Sequence, residues 1–234
     1  MGVGEHLDSR GEDARGGRYV PDLDFQVQSA GVLPYAAVPT IMFRLGVTNA
    51  VEAEEIDSVS LRAQIRIAAT RRRYGEEEQE KLKEIFGEPQ QWKDTLRSLL
   101  WTNTDTTVPR FSGGTVFEMP VTCTYDFDVV GTKYFAALED GEIPLEFLFS
   151  GTVFYRNGTG PLQVSRISWE KEAQFWLPVA LWREMMDHYF PNSAWLRIRK
   201  DTFDRLYEYR SQNALLTWDR TLESLLDAAG EAGR

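Results

Sequence analysis

The chain has 234 residues, enough for one large domain with its own core, and 42% of them are hydrophobic and 12% aromatic. Its 36 acids outnumber 26 bases, and the net charge of −10 repels phosphate backbones and anionic lipid, which argues against nucleic acid and membrane as partners. With one cysteine and two histidines it can form no intrachain disulfide or cysteine-built zinc site, and no apolar run reaches the roughly 18–20 residues of a membrane span.

Residues 1–19 carry five glycines among charges and almost nothing to bury, so they read as a disordered tail without the apolar stretch of a secretory signal. The expected location is the cytoplasm, and the expected domain runs over residues 20–228. Residues 24–28 alternate polar and apolar as a half-buried strand does, before Pro34 and Pro39 bracket a loop. Ile41, Phe43, Leu45 and Val47 then share one face, as do Val59, Leu61, Ala63, Ile65 and Ile67, with Arg62, Gln64 and Arg66 opposite. Strict period two with one wet face is the habit of antiparallel sheets. The run Arg71-Arg72-Arg73 reads as a solvated strand end.

Over residues 76–101 the period changes. Leu82, Ile85 and Phe86 fall on one helical face, Gly87 and Pro89 interrupt it, and Trp92, Leu96, Leu99 and Leu100 repeat at helical spacing, which predicts two short inserted helices. Val121, Cys123, Tyr125, Phe127 and Val129 alternate with Thr122, Thr124, Asp126 and Asp128 and predict a strand. Another opens at Leu145, Phe147 and Phe149 and runs through Tyr155 to Asn157-Gly158, a type I′ hairpin signal, with a return strand over 162–169 and a bulge between Val164 and Ile167. Helices close the chain: one from Pro178 to Tyr189, one capped by Asp201 with Phe203, Leu206, Tyr207 and Arg210, and one striped by Trp218, Leu222, Leu225 and Leu226. The sum is an α+β domain with a large antiparallel sheet of about six strands, an inserted helical pair and C-terminal helices.

The sequence contains no Walker loop and no dinucleotide fingerprint, and Ser112-Gly113-Gly114-Thr115 lacks the lysine and helix that phosphate binding uses. Cys123 and His188 are the one nucleophile–base pair available, yet Cys123 belongs to an inward strand face, where cysteine is a small hydrophobe. Asp126 with Asp128, and Glu170 with Glu172, are paired carboxylates that solvated strands explain equally well. No cofactor or metal is expected. The aromatic surplus is the positive feature, and Trp92, Trp101, Tyr134 and Phe135, at junctions where exposure is favoured, are the candidate protein-binding residues.

Through Cys123-Thr124-Tyr125-Asp126, the run from Leu148 to Tyr155 and the run from Tyr189 to Leu196, the chain resembles an uncharacterised actinobacterial family, a resemblance that implies hydrogenase genes as neighbours but no mechanism. A second resemblance is to the SecB-like export chaperones. It rests on Val59 to Ile67, on Leu177-Pro178-Val179-Ala180, and on Phe190-Pro191 followed by Phe203-Asp204-Arg205-Leu206, although the spacing between the last two and the helical insertion depart from that pattern. It implies apolar grooves for unfolded chains and assembly into a homo-oligomer. Three functional expectations follow: a non-enzymatic chaperone or adaptor that holds apolar segments of clients; a fixed, hydrogenase-associated subunit of a larger assembly; and an enzyme built on Asp126/Asp128 or Cys123/His188.

Overall fold

The computed structural model describes residues 19–50, 55–124, 129–193 and 197–232. In chain order these form β1 (Leu23–Val32), β2 (Thr40–Asn49), β3 (Glu55–Ile67), α1 (Glu76–Phe86), α2 (Trp92–Thr95), β4 (Leu99–Val108), β5 (Phe111–Ser112) and β6 (Gly114–Thr122). There follow α3 (Val130–Ala137), β7 (Glu142–Arg156), β8 (Leu162–Arg166), β9 (Glu172–Pro178), α4 (Val179–Tyr189), α5 (Lys200–Gln212) and α6 (Trp218–Ala232). All ladders are antiparallel.

The expected six-stranded sheet is present, in the order β4-β3-β7-β8 with β5 on β3 and β9 on β7, and a second sheet of three strands, β1-β2-β6, lies against it. The alternation of β2 and β3 explains the pairing of layers. Ile41, Phe43, Leu45 and Val47 on one sheet and Val59, Leu61, Ala63, Ile65 and Ile67 on the other are all buried in one common core. Phe43 meets Phe147 edge-on at 5.2 Å, and Phe25 stacks on Phe149 at 4.5 Å, so rings interlock across the layers. Pro120 sits on β6, which pairs with β2 alone, where its missing N–H costs no ladder bond.

β7 pairs with β3 along one edge and serves two partners along the other: β9 over Glu142–Leu148 and β8 over Thr152–Arg156. Gly151 marks the change. Its φ is +148°, and a Cβ there would lie 2.1 Å from the Ser60 carbonyl oxygen of β3, so only glycine fits.

Several expectations are corrected. The helix predicted through residue 101 stops at Thr95, and Leu99 begins β4, because the β-branched run Thr102, Thr104, Thr106 and Thr107 suits a ladder and β3 offers its edge. The strand predicted over 121–129 instead begins at Gly114 and ends at Thr122, with Asp126 and Asp128 outside the described residues. Helix α3 and strand β9 were not predicted. The Asn157-Gly158 turn is a five-residue loop in which Gly158 has positive φ and Asn157 does not, so it is not type I′. The irregular registers lie in β1, β3 and β4, where Gln28, Asp57 and Trp101 are the extra residues, rather than in β8. Tyr19, assigned to the tail, is part of the fold: its hydroxyl donates to Asn49 Oδ1 at 2.5 Å and its ring meets Tyr155. The rest of the expected tail lies outside the described residues. Among the described residues no helix is long and apolar enough to cross a membrane.

Candidate functional site

The four aromatic residues singled out by sequence do come together, but in the interior. α3 is a short helix whose apolar residues press onto the end of the sandwich, so Tyr134 and Phe135 are 0% and 1% exposed. The Phe135 ring meets Trp101 at 5.0 Å and Trp182 of α4 at 5.7 Å. The Tyr134 hydroxyl shares a 2.8 Å hydrogen bond with the Tyr74 hydroxyl, which also donates to the Ala69 carbonyl. Burial pushes both phenols up, Tyr74 to about 12. Trp92 and Trp101 are partly buried; the Trp92 indole donates to the Gly87 carbonyl at 2.8 Å and its ring packs on Tyr74 and Phe86. Exposure at these junctions is therefore corrected: the rings bind α1, α2, α3 and α4 to the sheets.

Beside them lies Arg72, from the run read as a solvated strand end. It is held in a buried ion pair with Glu78 at 2.6 Å, the two side chains being 9% and 6% exposed. Its guanidinium also donates to the carbonyls of Asp140 and Glu142, while Glu78 accepts from the Gly75 and Glu139 N–H groups. Arg72 Nε is a buried donor with no partner. The arrangement joins α1 to the turn before β7 and explains a stability role.

Cys123 and His188 are not brought together. The Cys123 thiol is buried, its Sγ–H points to the Val121 carbonyl at 3.6 Å, and burial pushes it up to about 12, against a weaker opposing bond from the Ile41 backbone. It borders a cleft of about 450 Å³ with Trp101, Phe190, Val38 and Pro39. His188 borders another, of about 470 Å³, and its Nε2 meets the Pro34 carbonyl at 3.1 Å. A thiolate made this costly to form, with no base beside it among the described residues, is a poor nucleophile. Glu170 and Glu172 are exposed. Among the described residues no three His, Cys, Asp or Glu side chains gather as a metal site would need.

Further exposed apolar residues lie on the C-terminal helices. α5 and α6 pack on each other, tied by a 2.8 Å bond between the Tyr209 and Ser224 hydroxyls; Thr221 of α6 is fully buried, its hydroxyl donating within its own helical turn to the Thr217 carbonyl. Phe203 and Tyr207 of α5 lean on Trp218 of α6 at 5.2 and 6.5 Å. Among the described residues every hydrogen bond, ion pair and ring contact of this hairpin stays within it. Phe203, Tyr207, Leu216, Leu222 and Leu226 are left exposed, Leu226 by 72%. The helix stripes were predicted; Asp201 was expected to cap α5 but sits in its first turn, paired with Arg199 at 2.6 Å. A second exposed set, Leu162, Val164 and the 90% exposed Trp169, lies on and just beyond edge strand β8.

Residues 20–234 match a family described as a family of unknown function, DUF6084. No curated protein matches the chain. Among solved structures, the CARDB domain of a Pyrococcus furiosus protein is 13% identical, with 68% of this chain and 92% of that one covered and a TM-score of 0.26. A β-glucosidase of Kluyveromyces marxianus is 11% identical over 68% of this chain and 15% of its own length, with a TM-score of 0.22.

Proposed function

We propose that this chain, which belongs to the DUF6084 family of unknown function, is a protein-binding adaptor or subunit of a cytoplasmic assembly, with the α5–α6 hairpin as its docking element. One observation carries the reading: a two-helix unit packs on itself yet leaves Phe203, Tyr207, Leu222 and Leu226 exposed together, outside the core that buries Phe43, Phe135 and Phe147. Exposed aromatic and leucine side chains grouped on a helical pair are the chemistry of helix-mediated docking, and their burial is worth roughly 1.5–3 kcal/mol each.

A holdase for many unfolded clients is the second reading, favoured by Leu162, Val164 and Trp169 along β8. Affinity purification of the full chain from its native host separates the two. One partner in fixed ratio, lost in a Leu222→Glu/Leu226→Glu variant that keeps its Tm, supports the adaptor. A broad client spectrum together with suppressed aggregation of an unfolded test protein supports the holdase. Retention of the fixed partner by the double variant removes the hairpin from the interface.

A further inference from the structure

Where α5 turns into the loop before α6, a pocket of about 260 Å³ is lined by Tyr207, Arg210, Ser211, Ala214, Leu215 and Leu216. The Arg210 guanidinium carbon stands 4.8 Å from the Trp218 ring centre and 6.0 Å from that of Tyr207, and its Nε donates to the Leu215 carbonyl at 3.3 Å. These contacts orient the side chain but use only one of its five N–H groups. Its two Nη nitrogens have no acceptor among the described residues. Three other cations of the hairpin are matched: Arg199 with Asp201, Lys200 with Asp204, Arg220 with Glu223. Arg205 is unpaired as well but exposed, whereas Arg210 is part-buried against two rings.

We propose that this pocket receives a carboxylate side chain of the docking partner, flanked by an apolar residue that covers Leu216 and Tyr207. This rests on the reading of the hairpin as the docking element and specifies what the partner brings: a carboxylate next to an apolar side chain. A guanidinium fork already held on an aromatic face pays little ordering entropy to grip a planar carboxylate with two parallel bonds. A lone guanidinium suits a monoanion better than a phosphate dianion, which calls for a cluster of cations. Leu216, at 88% exposure, supplies the apolar half of the contact.

The test uses the full chain and two short acetylated, amidated peptides that differ in one position, glutamate or glutamine between leucines, with the Arg210 Nε–H resonance and the Kd as readouts. The glutamate peptide binds about fivefold tighter, the margin shrinks with salt, and the Arg210 resonance shifts. Arg210→Met erases the margin and leaves the apolar remainder, and Arg210→Lys, which keeps charge but not the fork, retains part of it. Equal binding of the two peptides, no binding of either, a margin that survives Arg210→Met, or tighter binding of a phosphoserine peptide overturns the inference. A failed docking element shows itself separately, as retention of the native partner by the Leu222→Glu/Leu226→Glu variant.

Discussion

The sandwich and the hairpin use the same side chains to opposite ends. Phe43 in β2 is fully buried, with Phe147, Phe175 and Trp101 around its edges, whereas Phe203 in α5 has two ring neighbours and remains 39% exposed. The sandwich draws its partners from strands distant in sequence and buries most of its rings, leaving Tyr35, Trp169 and Trp176 at its margins. The hairpin draws its contacts from within itself and cannot cover its own apolar face. Core burial is therefore concentrated in the first region, while the second keeps an exposed apolar face with no buried core of its own among the described residues.

If this contrast holds, Phe43→Ala should cost about 3–5 kcal/mol in urea unfolding, since a large ring leaves a void that the two layers cannot close. A loss below about 1 kcal/mol would mean that the layers are not packed on each other. Arg72→Met strips Glu78 of its buried counter-ion and should cost about 3 kcal/mol, while changing Arg72 and Glu78 together to apolar residues should recover much of it. Gly151→Ala, which forces a Cβ against β3, should cost roughly 2 kcal/mol and weaken amide protection in β8 and β9 together, because both hang from that stretch of β7.

Alkali gives a smaller effect with a definite sign. Cys123 is raised from 9.0 to about 12 and Tyr74 from 10.0 to about 12, chiefly by burial. The folded state therefore holds these protons more tightly than the unfolded chain. Their contribution is intact below pH 9 and is lost as pH rises through 9 toward 12, by on the order of 2 kcal/mol at pH 10. Urea midpoints that do not fall between pH 8 and pH 10 would contradict the burial of these groups, as would fast alkylation of native Cys123 at pH 8. Smallest of all, Leu226→Ala should change stability by less than about 0.5 kcal/mol, while the same change weakens partner binding.

Much of the core was legible because β2 and β3 alternate without a break and lean on apolar residues at every second place. β4 was not, since its threonines carry no apolar rhythm and its start, Leu99-Leu100-Trp101, also fits a helical stripe. Pairing with β3 decided the matter. The hairpin stripes, from Phe203 to Leu226, were readable because each helix is local. The site was less so. Tyr134 and Phe135 sit at a junction, and only the arrival of Tyr74, Trp101 and Trp182 from far along the chain turns that junction inward. Arg72 looks like one of three solvated arginines until the fold sets the Asp140 and Glu142 carbonyls around it.

The long strand β7 also has a consequence for biosynthesis. β3 forms its most extensive ladder with β7, and β7 is complete only at Arg156. At a ribosomal rate of roughly 5–20 residues per second, β3 waits on the order of ten seconds for this partner after it has been made. During that interval β4, complete at Val108, can pair one edge of β3 from Val59 to Ile67, while the edge that β7 takes in the finished fold stays open.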